Sequence, residues 1–285
     1  MNSEVRLGMT LMILAALSFA CGDVGVKVLG QNLSPWQIAG GRALLGLVIT
    51  LFMARFRLRG FIITDWPWQI LLGLSSTLGL ICTIMTLKLL PLSVAFPLLY
   101  LYPALGALMS PLINREKPSG SDWLAIALAF GGVILLAHGV ASQKTAGWAG
   151  VGWALGSAFF VGLFINLTRR QAKSHPLRVI LFYLCLVNVL ICLPATVCFD
   201  QPVIPAGADL MKLFFFIAPT LLAGIFLLSV GYKYINAHRG GVIQTLEVVF
   251  GSLYGVLFLS EPLTLLVMVG SGLMMASALT IALGR

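Results

Sequence analysis

The side chains able to handle charge or protons in this chain are few, and several stand where charge is expensive. Glu247 lies several residues from either end of an apolar stretch running from 240 to 259. Asp23 and Lys27 share the stretch 7 to 29, and Arg42 stands near the start of 34 to 55. A carboxylate in such a place can take a proton or an ammonium group, and a guanidinium can hold a carboxylate through paired hydrogen bonds. Each residue also has a structural reading. Glu247 can be neutral or paired simply to tie helices together. Asp23 and Lys27, four residues apart on one helical face, can neutralise each other, with Lys27 snorkelling to the nearby end of its stretch. Arg42 can cap carbonyls or pair with Asp23. Asp23 and Glu247 are the candidate gate or coupling residues.

Uncharged groups complete the set of candidate substrate contacts: Tyr100, Tyr102, Gln244, Asn166, Ser76, Thr83 and Tyr232, beside Glu247. Gln244, Glu247, Gly251 and Tyr254 follow helical spacing and form one stripe, whose polar end must face protein or water. Tyr100 and Tyr102 sit with Pro97 and Pro103, prolines that free backbone carbonyls, and irregular backbone of this kind is tolerated at membrane depth where it lines a cavity. Ser76 and Thr83 are seven apart and share a face. Such hydroxyls and amides suit a zwitterion, although serine and threonine in apolar helices also bond their own backbone or a neighbouring helix. Gly152-x-x-x-Gly156 and Gly251-x-x-x-Gly255 read as packing devices that let helices approach closely.

The elements that position these groups are set by composition. Of 285 residues, 59% are hydrophobic and 9% charged, against roughly a quarter charged in soluble domains. The apolar runs recur at bilayer-spanning length, approximately 7 to 29, 34 to 55, 66 to 88, 92 to 114, 122 to 140, 147 to 168, 177 to 198, 211 to 234, 240 to 259 and 262 to 283. Lipid is therefore the solvent for most of this chain. Trp36, Trp66, Trp68, Trp123 and Trp148 stand at helix starts, where amphipathic rings sit at headgroup level, and Pro35, Pro67 and Pro262 mark first turns. Arg6 before the first run has the look of a signal peptide, but the run continues to Leu29 and is read as an uncleaved span. The five cysteines, Cys21, Cys82, Cys185, Cys192 and Cys198, all fall inside apolar runs without metal-ligand spacing and read as small core residues.

The net charge of +9 comes from residues in the gaps between runs, which argues for topology and against nucleic-acid binding. Arg6, Arg55, Arg57, Arg59, Arg115, Lys117, Arg169, Arg170, Lys173, Arg178, Lys233, Arg239 and Arg285 fall on the N-terminal side of the spans, opposite Lys27, Lys88, Lys144 and Lys212. This bias places both termini in the cytoplasm of a bacterial inner membrane.

At a constant offset of 145, Lys88 falls on Lys233, Gly106 on Gly251, Leu108 on Leu253 and Glu116 on Glu261. The same offset puts Leu99 on Gln244 and Tyr102 on Glu247. The halves 1–140 and 141–285 therefore read as copies, and five spans per copy makes the second inverted. Lys88, Lys233, Glu116 and Glu261 read as topology and fold determinants. The segment Lys88 to Pro118, with its proline-bearing helix, Gly106 and the turn at Glu116, and its partner Lys233 to Thr264, with Ser260, Glu261 and Pro262, resemble the two repeats of the drug/metabolite transporter superfamily, EamA type; Arg42 in the second span adds to this. Two departures are the absence of an arginine in span seven matching Arg42 and Ser277 in place of Gly132. The resemblance implies an all-α integral membrane carrier of ten transmembrane helices in two inverted five-helix repeats, commonly an exporter. Length and the tyrosine-, threonine- and serine-rich centre look most like exporters of aromatic and neutral amino acids.

No nucleotide-binding loop, H-E-x-x-H motif or nucleophile elbow is present, and His138, His175 and His238 are scattered. No catalytic residue, metal or cofactor is expected. The expected partners are a small amino-acid-like substrate and the lipid bilayer, with a single chain as the working unit. An exporter of lipophilic cations, using Glu247, and a membrane-embedded enzyme are the competing readings.

Overall fold

A computed structural model describes residues 3–29, 32–53, 65–113, 120–141, 148–172, 174–199, 207–214, 223–224, 227, 230–231, 234, 243, 246–261 and 264–283. Helices alone occur among the described residues: α1 (Ser3–Leu29), α2 (Pro35–Met53), α3 (Trp66–Leu89), α4 (Leu92–Leu99), α5 (Tyr102–Ile113), α6 (Gly120–Ala141), α7 (Trp148–Ala172), α8 (Leu177–Phe199), α9 (Gly207–Lys212), α10 (Leu246–Leu259) and α11 (Leu265–Leu283). A helix satisfies its own backbone groups, which is what lipid requires. Six spans, 4–28, 35–52, 66–89, 92–113, 148–168 and 179–199, are long and apolar enough to cross a bilayer, and three shorter apolar helices lie at 123–136, 246–259 and 265–277. The expected span 211 to 234 falls largely outside the described residues.

The surface confirms the solvent. Leu112 is 85% and Phe52 73% exposed, whereas Asn166 is 3% and Gln171 2% exposed. Apolar side chains outside and amides inside is the reverse of a water-soluble fold and the arrangement a bilayer imposes.

Successive spans run in opposite directions, and helix ends meet accordingly. At one face Trp36 stacks on Phe199 with ring centroids 6.0 Å apart; at the other Trp66 meets Tyr183 edge-on at 5.2 Å. Within the bundle α3 packs on α7, α6 on α11, α2 on α8, α5 on α7, and α1 and α4 on α10. In α4, Leu92 through Leu98 are all buried, so this short helix is the centre of the main apolar core.

The fourth span is two helices. The chain leaves α4 at Tyr100, whose N–H bonds the Phe96 carbonyl at 3.0 Å, and re-enters helix at Tyr102. Pro103 supplies no N–H to the Leu99 carbonyl and is tolerated in the first turn of α5, so the chain can break helix at Tyr100 and Leu101, just before it.

Candidate functional site

The site is built on the contact between α4 and α10. Glycine on one helix lets the other approach: a Cβ at Gly251 would come within 2.2 Å of the Phe96 ring, and one at Gly255 within 3.0 Å of Leu92 Cβ. One more turn along, the Tyr100 hydroxyl donates to Glu247 Oε2 at 2.8 Å. Leu92 with Gly255, Phe96 with Gly251 and Tyr100 with Glu247 step by four residues in opposite directions, the register of two antiparallel helices in close contact. The Gly251-x-x-x-Gly255 expectation therefore holds. The Gly152-x-x-x-Gly156 expectation does not: nothing lies within 4 Å of a Cβ at Gly152, and Gly156 meets only Cys82 Sγ at an ordinary 3.4 Å. Close approach by α7 uses Gly162 instead, where a Cβ would sit 3.0 Å from the Gly106 nitrogen and Tyr102 carbonyl of α5.

Around the Tyr100–Glu247 pair the charged groups of the first two spans converge. Asp23 of α1 lies within electrostatic reach of Arg42 of α2, of Glu247 and of Tyr100. The Tyr102 ring is 5.4 Å from that of Tyr100, tilted by 52°. Two carboxyl groups, one guanidinium and two phenols thus share one region at the break between α4 and α5. Such a set can bind an ammonium and a carboxylate at once, with ring faces beside them.

The expected Asp23–Lys27 pairing is corrected. Lys27 Nζ bonds Glu261 Oε1 at 2.9 Å and the Leu90 carbonyl at 2.6 Å. Local spacing permits the i, i+4 contact, but Lys27 stands at the end of α1, where a carboxylate and a carbonyl from two distant turns already converge.

Three of the neutral candidates bond neighbouring helices. Asn166 Nδ2 donates to the carbonyls of Gly106 and Gly162, both at 2.9 Å, clamping α5 to α7. Thr83 and Ser157 share a hydrogen bond of 2.7 Å between α3 and α7. Ser76 Oγ accepts from Asn188 Nδ2 at 3.3 Å, and Asn188 Oδ1 accepts from Thr77. Gln244 and Tyr232 lie outside the described residues. Sequence reasoning passed over Asn188 and the buried amides of Gln69 and Gln171, where Gln171 Nε2 donates to Gln69 Oε1 at 3.3 Å. A polar residue inside an apolar run was the available signal for Asn188.

An all-helical bundle, apolar outside and carrying an internal cluster of charge, defines a polytopic membrane protein with a polar interior. The chain belongs to the EamA-like transporter family, whose profile matches it twice, at residues 6–137 and 148–283. It is a membrane transporter built of two repeats of that family. It is similar to the pseudopaline exporter CntI of Pseudomonas aeruginosa, 23% identical over 279 residues that cover 98% of this chain and 96% of the relative. It also resembles the probable 4-amino-4-deoxy-L-arabinose-phosphoundecaprenol flippase subunit ArnE of Pseudomonas fluorescens, 35% identical over 73 residues, covering 26% of this chain and 62% of that one. A crystal structure aligns with a TM-score of 0.64 at 18% identity, over 98% of this chain and 95% of its own, which shows a shared fold. Neither relative's name specifies an amino acid, so the family is shared and the substrate class is not carried across.

Proposed function

We propose that this chain is a secondary carrier that exports small metabolites bearing an amino-acid-like zwitterionic head, neutral and aromatic amino acids among them. The observation that carries this reading is the Tyr100–Glu247 hydrogen bond of 2.8 Å, with Asp23 within electrostatic reach of it and Arg42 within reach of Asp23. In the proposal Glu247 and Asp23 take the substrate ammonium, Arg42 takes the carboxylate, and Tyr100 and Tyr102 present ring faces and hydroxyls to the rest. Gln244 and Tyr232 remain candidate contacts on the sequence alone. Asn166, Ser76 and Thr83, bonded across helix pairs, hold its walls.

Transport proceeds by alternating access between the halves 1–140 and 141–285, inverted relative to each other in a bacterial inner membrane with both termini cytoplasmic. The packing supports a duplication: α1 lies on α10 as α7 lies on α5, and α3 lies on α7 as Gly224 and Gly231 lie against Phe19 and Met12 of α1. Each contact is its partner with the halves exchanged, which is what a two-fold duplication requires.

The test is counterflow in liposomes loaded in turn with aromatic and neutral amino acids, nucleosides and a lipophilic cationic dye. Labelled amino acid should accumulate transiently against its own unlabelled pool. Counterflow of the dye alone would instead favour the cation exporter, with Glu247 facing the cation and Arg42 structural.

A further inference from the structure

We propose that Lys27 and Glu261 form a latch that holds shut the membrane face at the C-terminal end of α1, and that they must part for that face to open. The inference rests on the carrier reading above.

The bonds run between the two halves. Glu261 Oε1 accepts from Lys27 Nζ at 2.9 Å and from the Leu92 N–H at 2.8 Å, while Oε2 accepts from the Ser93 N–H at 3.1 Å. Lys27 adds its bond of 2.6 Å to the Leu90 carbonyl. One carboxylate from the turn after α10 therefore gathers the end of α1 and the first turn of α4. The Lys27 side chain is 20% and that of Glu261 9% exposed, so the pair is shielded far more than a surface salt bridge.

The local backbone is arranged to aim that carboxylate inward. Ser260 adopts a left-handed φ of 53°, unusual for a residue with a side chain, and the Glu261 N–H returns to the Gly255 carbonyl at 3.1 Å. A Cβ at Gly255 would lie 2.5 Å from Glu261 Oε2, so only glycine leaves the carboxylate its place.

The opposite face is joined by contacts of a different kind. There Arg170, exposed at the end of α7, donates to the Ile113 carbonyl at 3.0 Å and lies 3.9 Å over the Trp68 ring. One face is joined by a shielded ion pair between halves, the other by uncharged amides, Gln171 Nε2 donating to Gln69 Oε1 and Gln69 Nε2 to the Ile180 carbonyl, both at 3.3 Å, together with an exposed cation on a carbonyl and a ring. Any rocking of the halves that opens the first face must break the Lys27–Glu261 bond and the two amide bonds to Glu261.

The test places spin labels at Val28 and Leu265, exposed residues close in sequence to Lys27 and Glu261, in a background with the five native cysteines replaced. Pulsed dipolar spectroscopy then reads their separation without substrate, so an error in substrate class leaves the result intact. Lys27→Met and Glu261→Gln should each raise the ratio of long to short separations roughly ten-fold, and Lys27→Arg should keep the parental distribution. Identical distributions in all four proteins would overturn the latch. So would aggregation of both Lys27→Met and Glu261→Gln, which would make the pair a fold determinant; the same variants eluting as folded protein with a lengthened separation support it.

Discussion

Helix α10 and the turn that follows it place one carboxylate at each end of the contact with α4, and the two have opposite surroundings. Glu261 is saturated: a lysine, two backbone amides and a glycine-shaped hollow account for its oxygens. Glu247 receives one phenol, has a second carboxyl group near it, and sits where α4 is interrupted. About 12 Å separates Tyr100 from Leu92 along α4 at the helical rise of 1.5 Å per residue, yet the physics differs completely. A carboxylate with all its bonds made within the protein fixes a conformation. A carboxylate bonded to a single phenol has bonding capacity that a cation or a proton can use. Burial alone did not distinguish these glutamates; their partners did.

The comparison depends first on the two helices touching, and the largest effect should come from prising them apart. Gly251→Leu would drive a side chain into the buried Phe96 ring, and overpacking of this kind costs about 1–3 kcal/mol or more. The variant should lose most of its folded yield and unfold at markedly lower temperature in detergent. Parental thermal stability would show that α4 and α10 do not meet as described. Next in size, Tyr100→Phe removes the donor to Glu247, a hydrogen bond worth about 0.5–1.5 kcal/mol, or up to about 3 when the acceptor is charged. The KM for equal-pool exchange should rise about ten-fold or more while the thermal midpoint changes little; a KM within experimental scatter of the parent would take Tyr100 out of the site. At the small end, Gly152→Ala meets empty space and replaces glycine within a helix, so the thermal midpoint should hold or rise, by less than about 1 kcal/mol in stability. A clear loss would mean that α7 uses this glycine for packing after all.

Much of this was legible in the sequence. Glu247 and Tyr100 each stood out because a polar group in an apolar helix needs a reason, and Pro97 with Pro103 foretold the irregular backbone between α4 and α5. What the sequence could not supply was partnership. Asp23 and Lys27 satisfied the rule for neighbours on a helix, but Lys27 found Glu261, 234 residues away, because chain folding brought a carboxylate and a carbonyl to the end of α1. The two glycine motifs were equivalent on paper. Only packing revealed that Gly251 faces Phe96 whereas Gly152 faces outward, since apolar residues on lipid-facing and protein-facing sides of such helices are alike. Asn166, Ser76 and Thr83 were chosen for hydrogen-bonding capacity, and tertiary structure directs that capacity to neighbouring helices.

The central claim is that Glu247, unlike Glu261, takes part in transport itself. Glu247→Gln keeps an oxygen for the Tyr100 hydroxyl and removes only the ability to exchange a proton. In liposomes, the variant should still exchange substrate between two equal pools while its net flux no longer responds to an imposed pH gradient; loss of exchange through weakened binding would place Glu247 on the substrate ammonium instead. Exchange and pH response both unchanged from the parent would make Glu247 as structural as its counterpart at the other end of α10, and would contradict the account.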